Sequence, residues 1–202
     1  MNQGVQKRFR SKYDILIWVG ILSLVLMGLV EYGYAQLGRK LGFWKIHLGM
    51  IPYAAWLVMT YIATRPKWFV ENYNLGEMYK VHRILGIVGT VLTSLHVYVY
   101  FGIGHKAMMA WWTGYISFGA MLIAFLTSMY YLTPWFKRNG KSLSRKAVVW
   151  LHRLNLLAII TGNLHVHGFK NLGHMTPFIQ VFDVLTYGLV IYYVYWMIKK
   201  RN

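Results

Sequence analysis

Two apolar segments of the chain each carry spaced histidines: VHRILGIVGTVLTSLHVYVY at 81–100 and WLHRLNLLAIITGNLHVHGF at 150–169. A neutral imidazole can ligate iron, copper or zinc, or carry a proton near neutral pH. On a helix of ~3.6 residues per turn, the fourteen residues from His82 to His96 fall ~40° short of four turns, so the two share a face roughly 21 Å apart. Between them on that face lie Gly86, Gly89 and Thr93, small enough to leave room for a large flat group. In the second segment His152 is followed by Arg153, as His82 is by Arg83, and His165 and His167 come one membrane depth later. Thirteen residues leave His165 ~140° short of four turns, whereas fifteen carry His167 only ~60° past them. Periodicity alone therefore favours His167 as the partner of His152 on one face.

The elements that must position these side chains follow from the apolar runs. A helix needs ~20 mostly apolar residues to span a bilayer, and six stretches qualify, at about 14–37, 46–64, 81–103, 108–134, 147–169 and 177–198. Lipid offers no partner for a backbone amide, so each span must satisfy its own hydrogen bonds as a helix. The expected fold is an all-α integral membrane protein, a single six-transmembrane-helix bundle over 1–202. With 57% hydrophobic and 13% charged residues, against ~25% charged in soluble domains, the composition excludes an ordinary water-soluble domain. The first apolar run is too long for a signal-peptide core and no small-residue cleavage site follows it. The chain has no cysteine, which excludes disulfides, thiolate metal sites, iron–sulfur clusters and thiol redox chemistry.

The net charge of +17 has a topological cause. Lys7, Arg8, Arg10 and Lys12 precede the first span, and Arg65, Lys67, Lys80 and Arg83 flank the link between the second and third. Lys137, Arg138, Lys141, Arg145, Lys146 and Arg153 flank the next link on that side, and Lys199, Lys200 and Arg201 follow the last span. These are 17 of the 22 basic residues; the other side has only Arg39, Lys40, Lys45, Lys106 and Lys170. The positive-inside rule then places both termini in the cytoplasm and the chain in the cell (plasma) membrane as a multi-pass protein. The basic residues form no long cluster, and no nucleic-acid partner is expected.

With both histidine segments running outward from the cytoplasm, His82 and His152 fall at one depth, and His96 with His165 or His167 at another. Facing imidazoles at two depths describe two bis-histidine b haems, whose iron changes redox state without an open coordination position. Zinc is disfavoured, because the pairs lie too far apart to share an ion and bring no carboxylate or thiolate. Of the five acids, Asp14, Glu31, Glu71, Glu77 and Asp183, only Asp183 is expected deep in a span. A haem-free proton-coupled transporter would account for intramembrane histidines, but not for matched depths, two His-Arg pairs and a glycine face. Arg83 and Arg153 are placed either to pair with propionates of the inner haem or to anchor the spans at the interface. His105, Lys106, His167 and His174 are expected at the outer mouth, facing outer propionates or an acidic acceptor. Trp111, Trp112, Tyr130, Tyr131 and Trp135 bracket the fourth span as an interfacial aromatic belt would.

The stretches HRILGIVGTVLTSLH and WLHRLNLLAIITGNLH resemble the ferric reductase-like transmembrane domain, shared by NADPH oxidases, ferric-chelate reductases and small bacterial haem membrane subunits. The resemblance covers essentially the whole chain. It implies two haem b groups, with His82 and His152 as axial ligands of the cytoplasmic-side iron and His96 and His165 of the outer one. The family's spacing thus selects His165 over His167. It also implies a transmembrane electron-transfer oxidoreductase, moving electrons from a cytoplasmic reduced flavin or flavoprotein to an extracytoplasmic acceptor such as ferric iron, a flavoprotein or oxygen. Oxygen-reducing members carry a further histidine four residues after the outer ligand on the third span. Here Tyr100 stands there, which argues against a dedicated superoxide-producing site. No Gly-rich strand-to-helix turn for a dinucleotide is present, and the sequence ends at WMIKKRN just after the sixth span. The expectation is a stand-alone subunit that meets flavin only through a separate donor, a cytoplasmic flavin reductase or flavoprotein, or that takes electrons from quinol. A second reading in the same superfamily is the quinol- or flavin-fed haem subunit of a periplasmic repair reductase, although such subunits depart from this chain at His82.

Overall fold

The computed structural model describes residues 10–38, 43–101, 107–132 and 143–199. The charges expected at 7–8, 39–40, 137–141 and 200–201, together with His105, Lys106 and Trp135, lie outside them. Among the described residues every element is helical: α1 (Tyr13–Gln36), α2 (Phe43–Ala63), α3 (Lys67–Asn72), α4 (Leu75–Tyr100), α5 (Met108–Leu132), α6 (Arg145–His152), α7 (Leu154–His167), a 3-10 turn (Leu172–His174) and α8 (Phe178–Lys199). Six stretches are long and apolar enough to cross a membrane, the fifth being α6 and α7 together. The chain is an all-helical, multi-pass bundle of the kind lipid requires.

Two boundaries differ from the sequence reading for local reasons. Helix α4 starts at Leu75 rather than near 81, because the Asn74 side chain caps it, accepting from Gly76 and Glu77 N–H at 2.9 and 3.3 Å. The cap carries the helix through Glu77 and Lys80, which are paired: Glu77 lies 2.6 Å from Lys80 and 2.9 Å from Lys12, just ahead of α1. The hydrogen bond with Glu77, and its charge, hold the Lys12 ammonium above the ordinary lysine value. The fifth span is interrupted directly after His152. Arg153 N–H reaches both Val149 and Trp150 carbonyls at 3.2 and 3.1 Å, and Leu156 N–H bonds the Arg153 carbonyl at 2.9 Å. The bonds to the Trp150 and Arg153 carbonyls span three residues, against four in a regular α-helix, and tighten the chain into a turn between α6 and α7.

Packing in a bilayer relies on close fit and interhelical hydrogen bonds rather than on escape from water. Helix α5 runs along α7, and α2 lies between α1 and α4. Gly162 on α7 makes the first contact close: a Cβ there would stand 3.2 Å from Ser117 Oγ, and Ser117 donates to the Ala158 carbonyl at 2.7 Å. The main core joins Leu26 and Val30 of α1, Met50 and Tyr53 of α2, Ile159 of α7, and Phe178 and Phe182 of α8. A second cluster seats the short α3 through Phe69 and Tyr73 against Ile15, Met59 and Val81. Helix α4 lies along α2 and meets α5, while Ile84, Val88, Val91 and Leu95 remain exposed as a lipid-facing stripe.

Tyr53 ties three spans at the centre of this core. Its hydroxyl donates to the Ile159 carbonyl at 3.1 Å and lies 2.8 Å from the Thr186 hydroxyl. Interhelical hydrogen bonds in membranes contribute roughly 0.6–1.7 kcal/mol. Tyr53→Phe is expected to lower stability by about that amount, read as a lower melting midpoint in detergent. An unchanged midpoint would show that the bond does not hold the bundle.

Candidate functional site

Helix α4 presents His82 and His96, and each faces one imidazole from the interrupted fifth span. The His82 and His152 ring centroids are 5.7 Å apart at an interplanar angle of 56°. Those of His96 and His165 are 6.2 Å apart at 83°. Two imidazoles on opposite sides of one metal, with metal–nitrogen distances of about 2 Å, have centroids roughly 6 Å apart. Both pairs therefore sit at the separation of a shared metal ion.

Three of the four rings are held through Nδ1. His96 Nδ1 lies 3.0 Å from the Lys45 carbonyl and His165 Nδ1 lies 2.6 Å from the Ala110 carbonyl. A carbonyl only accepts, so in both rings the proton is on Nδ1 and the lone pair on Nε2. His152 Nδ1 lies 3.0 Å from Ser128 Oγ, whose own proton goes to the Ala124 carbonyl at 2.7 Å. The serine thus accepts, and His152 has the same tautomer. This is the arrangement that orients a metal-ligating histidine and raises its basicity.

Glycines make room for the outer pair. A Cβ at Gly49 of α2 would stand 3.1 Å from His96 Cε1, and one at Gly114 of α5 only 2.6 Å from His165 Nδ1. Sequence reasoning missed both, because each serves a ring on another helix. The glycine face of α4 is used differently from expectation. Gly86 opens onto free space, but Gly89 packs against α2, where a Cβ would lie 3.7 Å from Pro52 and from the Trp56 indole nitrogen. Trp56 therefore lies beside the midpoint of α4 between the two pairs.

The inner pair lines a cavity of about 560 Å³ bounded by Gly86, Met121, Phe125, Arg83 and Arg153, inside the ~300–1,000 Å³ range of cofactor sites. Arg153 stacks over Trp150, 4.6 Å from the ring centroid, and its buried Nε has no hydrogen-bond partner. A buried guanidinium nitrogen left so is costly, and a carboxylate would satisfy it. Among the described residues no group of three or more His, Cys, Asp or Glu converges, so each site offers two imidazoles. Two axial imidazoles suit haem, whose porphyrin supplies the other four ligands; structural zinc would need four protein ligands. The residues fit haem.

His167 is engaged elsewhere. Its Nε2 lies 2.8 Å from Asp183 Oδ1, which also accepts from Asn163 at 2.8 Å, while Tyr187 donates to Asn163 Oδ1 at 2.9 Å. Periodicity along one helix favours His167, but the structure gives its ring to Asp183 and sets His165 against His96. Of the residues expected at the outer mouth, His167 is tied to Asp183 of α8 and His174 sits in the 3-10 turn. Asp183 is not the sole acid within a span to find a buried partner. Glu31 of α1 lies 2.8 Å from Nε2 of the buried His47 of α2, a pair whose only sequence signal is one ionisable residue in each of two neighbouring apolar runs.

Comparison with protein-family models, with curated proteins and with solved structures finds no match for this chain. The reading of the site thus rests on its own geometry. Gly114→Val is expected to displace the His165 ring and weaken haem binding at the outer pair at least tenfold in a haemin titration, leaving the inner pair unchanged. Equal loss at both pairs would contradict the separate seating described for them.

Proposed function

We propose that the chain is a dihaem b transmembrane oxidoreductase that carries electrons from a reduced flavin or flavoprotein on the cytoplasmic side to an extracytoplasmic acceptor. The observation that carries this reading is the pair of facing imidazole couples, 5.7 and 6.2 Å between centroids, spaced along a single membrane-length helix. Haem bound at each couple would supply a one-electron redox centre within the hydrocarbon layer, where a free charge is unstable.

The chain's own residues then have distinct tasks. The Lys45 and Ala110 carbonyls fix the tautomers of His96 and His165 and make their Nε2 atoms stronger donors, which favours the ferric state. Arg83 and Arg153 border the inner cavity and offer cations to propionates, offsetting the cost of burying carboxylates. Trp56 packs with Met121 and Ala158 beside the midpoint of α4, between the two sites. Tyr100, 5.0 Å from the His96 ring, borders the outer site.

The direction of transfer follows from charge. Arg10, Lys12, Arg65, Lys67, Lys80, Arg83, Arg145, Lys146 and Lys199 flank the end of the bundle nearest the inner pair, and the positive-inside rule makes that end cytoplasmic. A basic surface draws an anionic reduced flavin or an acidic flavoprotein, with a reach of about 8 Å at physiological salt. Ferric iron, a flavoprotein and oxygen are the candidate acceptors at the other end. The Asp183–His167–Asn163–Tyr187 network would suit a haem-free proton-coupled transporter, but that reading leaves the two facing couples without a task.

Redox titration of single variants tests the assignment. His82→Ala and His152→Ala are each expected to remove the same spectral component, and His96→Ala and His165→Ala the other. Loss of one shared component in His82→Ala and His96→Ala would contradict it. In oriented proteoliposomes, a flavin reductase with its flavin on the basic side is expected to reduce both haems, several-fold faster at low salt. Reduction only from the opposite face would overturn the direction.

A further inference from the structure

Helix α1 reaches α2 through one bond between ionisable side chains within the apolar spans. His47 Nε2 lies 2.8 Å from Glu31 Oε1, and His47 is 3% exposed. Polar pairs at such positions are costly to bury unless matched, so their placement calls for a cause beyond packing. The cause is visible in the turn that bears His47. Lys45, two residues before it, accepts from His96 Nδ1 through its carbonyl, and Gly49, two residues after it, is the flat seat on which the His96 ring lies. The turn 45–49 is the whole contact of His96 with α2 that these bonds define. It lies within the first two turns of its helix, near the end where a backbone has least support from its own neighbours.

We infer that Glu31 is a positioning residue for His96. Through His47 it pins the N-terminal end of α2 to α1, and so sets the length and angle of the bond from His96 Nδ1 to the Lys45 carbonyl. That bond governs how strongly His96 donates through Nε2. The inference rests on the reading of His96 as an axial ligand of the outer haem. A slack turn weakens the bond, makes His96 a poorer donor to the ferric state, and raises the midpoint potential of the outer haem alone.

The test uses the full chain in detergent, with haem content, two midpoint potentials and the low-spin electron paramagnetic resonance signals measured for each variant. Glu31→Leu removes the bond and the charge; Glu31→Gln removes the charge but keeps an acceptor for His47. Glu31→Leu is expected to shift the outer couple toward the ferrous form by about tenfold at a fixed potential, ~59 mV for one electron, and to move its resonance signal. Glu31→Gln is expected to restore most of both, and the inner haem to stay as it was. If Glu31→Leu does not assemble, His47→Phe removes the same bond from the side of α2 and carries the same expectation. Equal shifts in Glu31→Leu and Glu31→Gln would assign the effect to charge and overturn the positioning role, as would no shift in either. A parent protein without two haems would instead overturn the reading of His96, a failure visible before any variant is compared.

Discussion

An imidazole inside a bilayer has two nitrogens to satisfy and no water to do it. An unmet polar group in that medium costs several kcal/mol, so the rest of the bundle is arranged around meeting them. Backbone carbonyls of Lys45 and Ala110 and the Ser128 hydroxyl take the Nδ1 side of three rings. The Nε2 of each of these rings takes no hydrogen bond among the described residues, and the rings of His152 and of His96 with His165 lie against their opposite numbers. Gly49 and Gly114 then follow as necessities, since a side chain at either would occupy the place of a ring.

These local requirements explain the uneven packing. Helix α4 bears two of the four histidines, lies along α2 and leaves an apolar stripe exposed. Its approach to α6 and α7 is made through the imidazole couples and the cavity beside the inner one. A group held between the couples would complete the bundle on that side. Apolar contact could not choose the rotation of α4, because lipid is as apolar as its neighbours. The Lys12–Glu77 ion pair, the fit of Gly89 to Pro52 and Trp56, and the His96 bond do choose it, at the start, middle and end of the helix.

The six spans and the histidines at two depths were legible in the sequence because both signals are local: apolar run length, and spacing along one helix. What was not legible depends on two helices at once. The start of α4 was placed six residues late because Glu77 and Lys80 read as loop, whereas Asn74 caps them into the helix. Periodicity prefers His167 because it cannot see the carboxylate that Asp183 of α8 brings to that ring. Gly89 reads as free space although α2 fills it, and nothing in their own runs marks Gly49 and Gly114, on which rings from α4 and α7 lie. The Glu31–His47 pair has no mark in the sequence, because nothing in one run announces a partner in the next.

The account's central claim is that each facing couple holds one haem. The most direct measurement is the absorption spectrum of the purified chain, oxidised and then reduced with dithionite, with haem quantified as the pyridine haemochrome per polypeptide. The account expects two non-covalent b-type haems per chain, both low-spin in each oxidation state. One haem or none per chain, or a high-spin ferric spectrum that shows an open iron position, would contradict it.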